Sequence, residues 1–375
     1  MKILFLITDL GRSGAERLLI DICTELKKRE DIQFKIGVLY NNNQYPELTA
    51  DFDIVNLDYK TFSLFKTNEC PKYQELLNSF QPDVIHTHRF LAEFISSYYI
   101  NPNIKYVCHG HDNMEQLRNF SIKSLFSKRK LLDFVEKRYL ALHKYSQVPT
   151  NIIAISKDTF SYFKTVMPKR QRENISLIYN GFNYTAFYRK RNYDFQPKKL
   201  TITNVASFAD KKNQMFIVDV AAVLRQRNID FEINLIGVGA NYEKVRSAIS
   251  EKQLEKHVFL RGIQQNIQEW YAKSDIYLHS AYYEPLGLVL LEAMAAGLPV
   301  VTLDGRGNRD LIVQGKNGYM IYEQDAEQFA DRILEIWNDK QKYCEMSAFA
   351  QEFAKQYDIK PYVDKLLDLY NGSDQ

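Results

Sequence analysis

The chain has 375 residues, 45% of them hydrophobic and 25% charged, with 25 Tyr and 23 Phe. That length predicts two domains, and the composition excludes disorder. The 49 basic and 46 acidic residues leave a formal charge of +3, which gives no reason to expect nucleic acid as a partner.

From the N-terminus, short runs rich in Ile, Val and Leu alternate with helix-length segments. Strands are expected at 2–7, 34–39, 53–57, 84–86, 105–108, 152–155 and 176–178, and helices at 14–28, 73–80, 91–100, 130–144 and 158–166. Strands that are apolar on both faces and separated by helices imply a parallel sheet covered on both sides. The polar stretch 181–199 has no usable period and is expected to link two domains. Alternation then resumes with strands at 200–205, 231–236, 257–260, 275–279 and 299–302, and helices at 213–227, 242–251 and 287–296. Three C-terminal helices follow at 326–337, 343–355 and 361–370. The fold class expected is α/β, with two successive Rossmann-like domains and a cleft between them.

Cys23, Cys70, Cys108 and Cys344 form no Cys-x-x-Cys pair, so reduced core thiols are expected rather than a disulfide framework or a zinc ribbon. The opening MKILFLITDL is too short for a signal-peptide core and has the shape of a buried first strand. The longest apolar stretch, 285–303, is broken by Gly287, Glu292, Gly297 and Pro299, so it is not a membrane span. A cytoplasmic protein is the expectation.

The most informative segment is EPLGLVLLEAMAAGLPVV, from Glu284 to Val301. Its helix is apolar nearly all round and therefore buried, yet it carries Glu292, and a buried carboxylate is costly without a partner. A salt bridge to a neighbouring loop would explain Glu292 alone. Glu284 adds a second carboxylate just before Pro285-Leu286-Gly287, a turn whose glycine lets backbone approach a ligand and whose helix start presents unpaired N–H groups. That combination suits a ligand carrying both phosphates and sugar hydroxyls.

The pattern E-P-x-G-x-x-x-x-E-A-M-A-x-G-x-P-V-V resembles the signature of glycosyltransferase family 4, retaining enzymes of the two-domain GT-B fold that use nucleotide-activated sugars. The resemblance runs in the same order over nearly the whole chain. It implies an acceptor-side domain over 1–185, a nucleotide-sugar domain over 198–357, and a C-terminal segment, 358–375, packing back on the first domain. It also implies that Glu292 binds the ribose hydroxyls, that Glu284 contacts the transferred sugar, and that the backbone N–H groups of Leu286, Gly287 and Leu288 face the sugar and diphosphate.

Elsewhere the match is residue by residue. The family's glycine pair after the first strand is Ser13-Gly14 here, so only one glycine is kept. The histidine-containing strand end matches His111, with His109 as second choice. Lys212 falls on the lysine that meets the diphosphate, whereas Ser207 stands where the family has an arginine. Arg261-Gly262-Ile263 follows the strand where the family packs the nucleobase, and Asn308 lies in a ligand-side loop. Read without the resemblance, His86-His88 and His109-His111 are strand-end histidines satisfied by backbone carbonyls or, less simply, metal ligands.

The implied reaction moves a sugar from a nucleotide-diphosphate sugar to a saccharide or lipid-linked saccharide acceptor. It needs no metal and no cofactor, because helix-terminal N–H groups and a lysine neutralise the leaving diphosphate. Surface polysaccharide or glycolipid assembly is the implied setting. Two other readings compete. One is a non-catalytic sugar-nucleotide-binding protein, which the Ser13 and Ser207 departures keep open and the retained Glu284, Glu292 and Lys212 weigh against. The other is a nicotinamide-dependent oxidoreductase, against which the absence of G-x-G-x-x-G stands.

Segment 118–144 interleaves Arg118, Lys123, Lys128, Arg129, Lys130, Lys137, Arg138 and Lys144 with Phe and Leu. It is either an ordinary amphipathic helix or a peripheral contact with the anionic inner membrane face.

Overall fold

In the computed structural model of the chain the described residues are 1–60, 69–119, 127–191 and 199–372. The chain forms two compact units, the first made of Met1–Gly181 and the segment from Ile359 onward, the second of Phe182–Asp358.

The first unit is built on strands β1 (Lys2–Ile7), β2 (Gln33–Val38), β3 (Ile54–Asn56), β4 (Val84–His88), β5 (Lys105–Gly110), β6 (Thr150–Ala154) and β7 (Ile175–Leu177). All pair in parallel, in the order β3-β2-β1-β4-β5-β6-β7. Helices α1 (Gly14–Leu26), α2 (Pro71–Phe80), α3 (Arg89–Ile95), α4 (Lys128–Leu140) and α5 (Lys157–Val166) connect them. Ile3 to Ile7 are all inaccessible to solvent, as a central strand covered on both faces requires.

The second unit begins with α6 (Tyr184–Phe187). It continues through β8 (Leu200–Val205), α7 (Gln214–Gln226), β9 (Phe231–Ile236), α8 (Tyr242–Glu251), β10 (Val258–Gly262) and α9 (Ile267–Lys273). Then come β11 (Ile276–His279), α10 (Leu288–Ala295), β12 (Val300–Leu303), β13 (Gly318–Ile321), α11 (Ala326–Trp337) and α12 (Lys340–Lys355). Its six parallel strands run in the order β10-β9-β8-β11-β12-β13. Strand β13 and helices α6 and α9 go beyond the sequence expectation. At the start of β13 a Cβ on Gly318 would lie 2.1 Å from the Val300 carbonyl oxygen, so only glycine permits this close pairing.

The last helix, α13 (Ile359–Asn371), belongs to the first unit and packs on α1. Arg29 Nη2 lies 2.5 Å from Asp364 Oδ1, and the Tyr370 hydroxyl lies 2.5 Å from His86 Nδ1.

The stretch expected to link the domains is in part packed structure. Arg191 donates to the carbonyls of Ala296 (2.6 Å), Ser274 (2.8 Å) and Tyr271 (3.0 Å), which ties 182–191 to the second unit; residues 192–198 lie outside the described residues.

In each sheet the strand order reverses beside the first strand, between β1 and β4 and between β8 and β11. In open α/β sheets ligands bind outside the carboxyl ends of strands at such a reversal.

Candidate functional site

At the carboxyl edge of the first sheet, the β1–α1 turn places Ser13 in extended backbone as N-cap of α1, with Gly14 exposed at the first helical position. The Ser13 hydroxyl does not cap the helix. It donates to Glu16, a carboxylate only 2% exposed, and accepts from the Arg89 guanidinium, which also pairs with Glu16 at 3.0 Å. Arg89 opens α3 with φ +72, a region sparsely populated by residues with a Cβ. Neither Glu16 nor Arg89 was singled out in the sequence, because each reads there as an ordinary helix-start charge.

The strand-end histidines form one column, with His86, His88 and His109 buried and His111 half-buried. His86 and His88 lie on the same face of β4 because side chains alternate, and β5 brings His109 into register with His88. Ring centroids lie 4.6 Å apart for His86–His88, 5.0 Å for His88–His109 and 4.2 Å for His109–His111, with interplanar angles of 24°, 28° and 7°. His88 Nδ1 meets His111 Nε2 at 2.8 Å, and His109 Nε2 meets Asn180 Oδ1 at 2.8 Å.

The partners are therefore side chains, not the backbone carbonyls expected. Burial, reinforced by the neighbouring rings, pushes the His86, His88 and His111 pKa values well below the ordinary one. Burial likewise lowers His109, to about 4. The column is neutral at pH 7.

His86, His88 and His109 are close enough to be considered as metal ligands. Their near-parallel rings, however, hold the nitrogen lone pairs in parallel planes, whereas tetrahedral coordination needs them to converge on one point. Asp51 and Asp53, not singled out in the sequence, stand at Asp-x-Asp spacing, but they pair with Lys27 (3.0 Å) and Lys35 (2.6 Å).

At the edge of the second sheet three loops are stitched together. The Ser280 hydroxyl donates to the Lys212 carbonyl at 2.7 Å, and Tyr282 N–H donates to the Lys211 carbonyl at 3.1 Å. Glu284 N–H donates to the Gly305 carbonyl at 2.8 Å, and Gly307 N–H to the Glu284 carbonyl at 3.0 Å. These bonds bring Lys212, after β8, against Glu284, after β11, in a largely buried ion pair.

His279 Nε2 also lies 3.2 Å from the Glu284 carboxylate. Burial opposes the charge on Glu284, but the Lys212 ammonium, with His279 beside it, outweighs burial and holds the carboxyl well below its usual range. His279 was not singled out in the sequence; its place at a strand end, five residues before Glu284, was the available signal.

Gly287, at φ +87, is the N-cap of α10, and α10 has no side-chain cap. The first N–H groups of α10, from Leu288 onward, thus open beside Glu284. Leu286 is buried behind the turn. Glu292 is half-buried on α10 and accepts from the Tyr271 hydroxyl at 3.2 Å.

The remaining candidates divide. Ser207 is exposed, and its carbonyl accepts from the Gln214 amide at 3.0 Å. Arg261 is anchored by Asn234 at 2.7 Å and lies over the Phe259 and Trp270 rings, while Gly262 takes φ +64 and Ile263 is 54% exposed, an apolar edge suited to a flat base. Asn308 is fully buried, its amide bonded to Gly305, Thr302 and Leu303, so it shapes its loop from inside.

The basic segment also needs correction. Lys144 is not a surface cation: it is inaccessible to solvent and held by both Glu93 carboxylate oxygens at 2.8 Å and by Ser96 at 2.6 Å. Arg118 pairs with Asp133 at 3.0 Å. Leu131 and Leu132 are exposed on α4, and Phe120, Lys123, Leu125 and Phe126 lie outside the described residues. Among the described residues no helix is long and apolar enough to cross a membrane.

A family profile described as "Glycosyltransferase Family 4" matches residues 12–185, and one described as "Glycosyl transferases group 1" matches residues 189–353. The poly(glycerol-phosphate) alpha-glucosyltransferase of Bacillus subtilis is 27% identical over 207 residues, which are 52% of this chain and 30% of that protein, so the chain matches under a third of its length. The N-acetyl-alpha-D-glucosaminyl L-malate synthase of Bacillus anthracis is 24% identical over 97% of this chain and 94% of that one. In fold, the crystal structure of Anabaena Alr3699/HepE in complex with UDP and glucose matches 99% of this chain and 100% of that one, with a TM-score of 0.78 and 21% identity. With two successive profiles along the sequence and two parallel Rossmann-like sheets in GT-B form, the chain belongs to the family 4 type of glycosyltransferases.

Proposed function

We propose that the protein is a retaining, metal-independent glycosyltransferase that moves a sugar from a nucleoside-diphosphate sugar to a saccharide or lipid-linked saccharide acceptor in surface polysaccharide or glycolipid assembly. The observation that carries this reading is the Lys212–Glu284 pair beside the uncapped start of α10. A charged pair in so buried a place costs desolvation that an apolar pair would not. A ligand needing both a cation and a hydrogen-bond acceptor gives it a use.

In this reading Lys212 and the N–H groups of Gly287 and Leu288 stabilise the diphosphate as the bond from the anomeric carbon to the phosphate oxygen breaks. Glu284 orients the transferred sugar through its hydroxyls, and Glu292 holds the ribose. The acceptor oxygen bonds to the anomeric carbon on the face being vacated, and its proton passes to the departing phosphate oxygen. No protein nucleophile takes part. His111 and Gly14, with Ser13, serve the sugar and phosphate end on the first unit.

Turnover with a panel of nucleotide sugars, with the product anomer read by NMR, tests the reading. An inverted anomer, or activity abolished by chelator and restored by manganese, overturns the mechanism. The departures at Ser13 and Ser207 favour the second reading, a non-catalytic sugar-nucleotide binder, which predicts ligand-induced stabilisation without turnover. Peripheral contact with an anionic membrane is also proposed, through Lys128, Arg129 and Lys130 beside exposed Leu131 and Leu132. Cosedimentation with anionic vesicles at low salt, lost when the three cations become Ala, is the expected result.

A further inference from the structure

Arg306 holds a backbone conformation that arginine rarely adopts. Its φ and ψ are +72° and −72°, and Gly307 N–H donates to the Gly305 carbonyl at 3.1 Å, so Arg306 is the central residue of a γ-turn of the rare, strained hand. The turn is wedged against the Glu284 loop: Arg306 forms a parallel bridge with Glu284, and a Cβ on Gly307 would lie 1.8 Å from the Pro285 carbonyl oxygen. A residue held in strain by tight surroundings points to a use for its side chain.

The Arg306 guanidinium is exposed and lies 6.0 Å from the Tyr283 ring centre, and Lys211 Nζ lies 5.7 Å from the same ring. Among the described residues neither cation forms an ion pair. The nearby Asp304 carboxylate accepts the Arg306 backbone N–H at 2.9 Å and is attracted by the Arg306 charge, but its salt bridge is to Arg309 at 2.5 Å. Lys212, one residue from Lys211, is already neutralised by Glu284. Two like charges without an ion pair converge on one aromatic ring, Lys211 from the loop of Lys212 and Arg306 from the loop after β12 that is bonded to the Glu284 loop.

We propose that Lys211, Tyr283 and Arg306 form a phosphate-binding wall that adds cationic charge beside Lys212, whose own charge is shared with Glu284. The planar guanidinium offers a bidentate fork and the ammonium a point charge to the phosphate oxygens. The phosphate comes from the donor's diphosphate or from a phosphate on the acceptor. The wall deepens the donor-site reading above and rests on it for its place in the reaction, but binding is measurable without turnover.

Calorimetry with inorganic pyrophosphate and with glycerol 1-phosphate tests it on the full chain, as wild type, Lys211→Ala, Arg306→Ala, Arg306→Gly and the double Ala variant. Wild type binds at least one probe, and each single Ala substitution weakens that binding about tenfold, as loss of a charge-assisted contact does. Arg306→Gly relieves the strained turn and so separates loss of charge from loss of fold. Weakening confined to pyrophosphate assigns the wall to the donor; weakening of glycerol 1-phosphate assigns it to the acceptor. Unchanged affinity in the folded double variant, or no binding of either probe by wild type, overturns the proposal. Failure of the parent reading appears separately, as no turnover with any nucleotide sugar while the variants still lose pyrophosphate.

Discussion

The carboxyl edges of the two sheets solve the same problem in opposite ways. Each gathers ionisable groups where its strand order reverses, largely out of water. At the first edge four histidines stack with their charge removed, since burial holds every ring neutral. At the second, Glu284 keeps its charge against burial because Lys212 is beside it. A neutral stack is sensitive to protons, whereas a paired charge is sensitive to loss of its partner.

Breaking the pair is the largest expected effect. Lys212→Met leaves Glu284 buried without its cation and should cost about 3 kcal/mol in urea unfolding, with turnover lost as well. Lys212→Met combined with Glu284→Gln should recover part of that stability but none of the activity. Equal stability of the single and double variants would show that the unpaired Glu284 charge is not what destabilises the single variant.

Glu292→Ala sharpens the assignment of the second edge. Loss of a charged acceptor for ribose hydroxyls should weaken nucleotide binding by about 1.5–3 kcal/mol in calorimetry, with the fold retained.

The first edge should answer to pH. A histidine whose folded pKa is depressed stabilises the fold above its unfolded value and loses that contribution as pH falls toward the folded value. For His109 this window runs from 6.5 down to about 4. His109 alone should then cost about 2 kcal/mol between pH 7.5 and pH 5, with the other three rings adding in the same direction. Urea unfolding followed at the two pH values checks this, and His109→Gln should flatten the dependence. Glu284, held low, should contribute nothing over that range.

The smallest effect carries the opposite sign. Arg306→Gly should raise stability by about 0.5–1 kcal/mol in thermal unfolding, because glycine meets no Cβ clash at positive φ.

The alternation of buried strands and helices was legible because a parallel sheet covered on both faces needs continuous apolar runs; β1 and α8 have the ends expected from the sequence. Strand β13 was not, since its glycine start reads as a loop until Val300 is placed beside it. The Lys144 error has the same root: a lysine in a basic stretch reads as solvated, and only α3 supplies the buried Glu93 that holds it. Among site residues, Glu284, Glu292 and Gly287 stood out because one acid inside an apolar helix, with a second acid and a glycine in the turn before it, contradicts local preference. Arg89 and Arg306 did not, because positive φ leaves no mark in a sequence when the residue is not glycine.

By itself, then, the sequence determined the two α/β units, the strand ends at which the candidate site residues lie, and the family. Each depends on local periodicity or on a contiguous motif. Tertiary structure alone decided that four histidines become one neutral column, that Lys212 meets Glu284 across 72 positions of sequence, and that Arg306 is strained beside them. Those outcomes depend on which strands lie side by side and how much water is left between their side chains, and neither is encoded in any one stretch of chain.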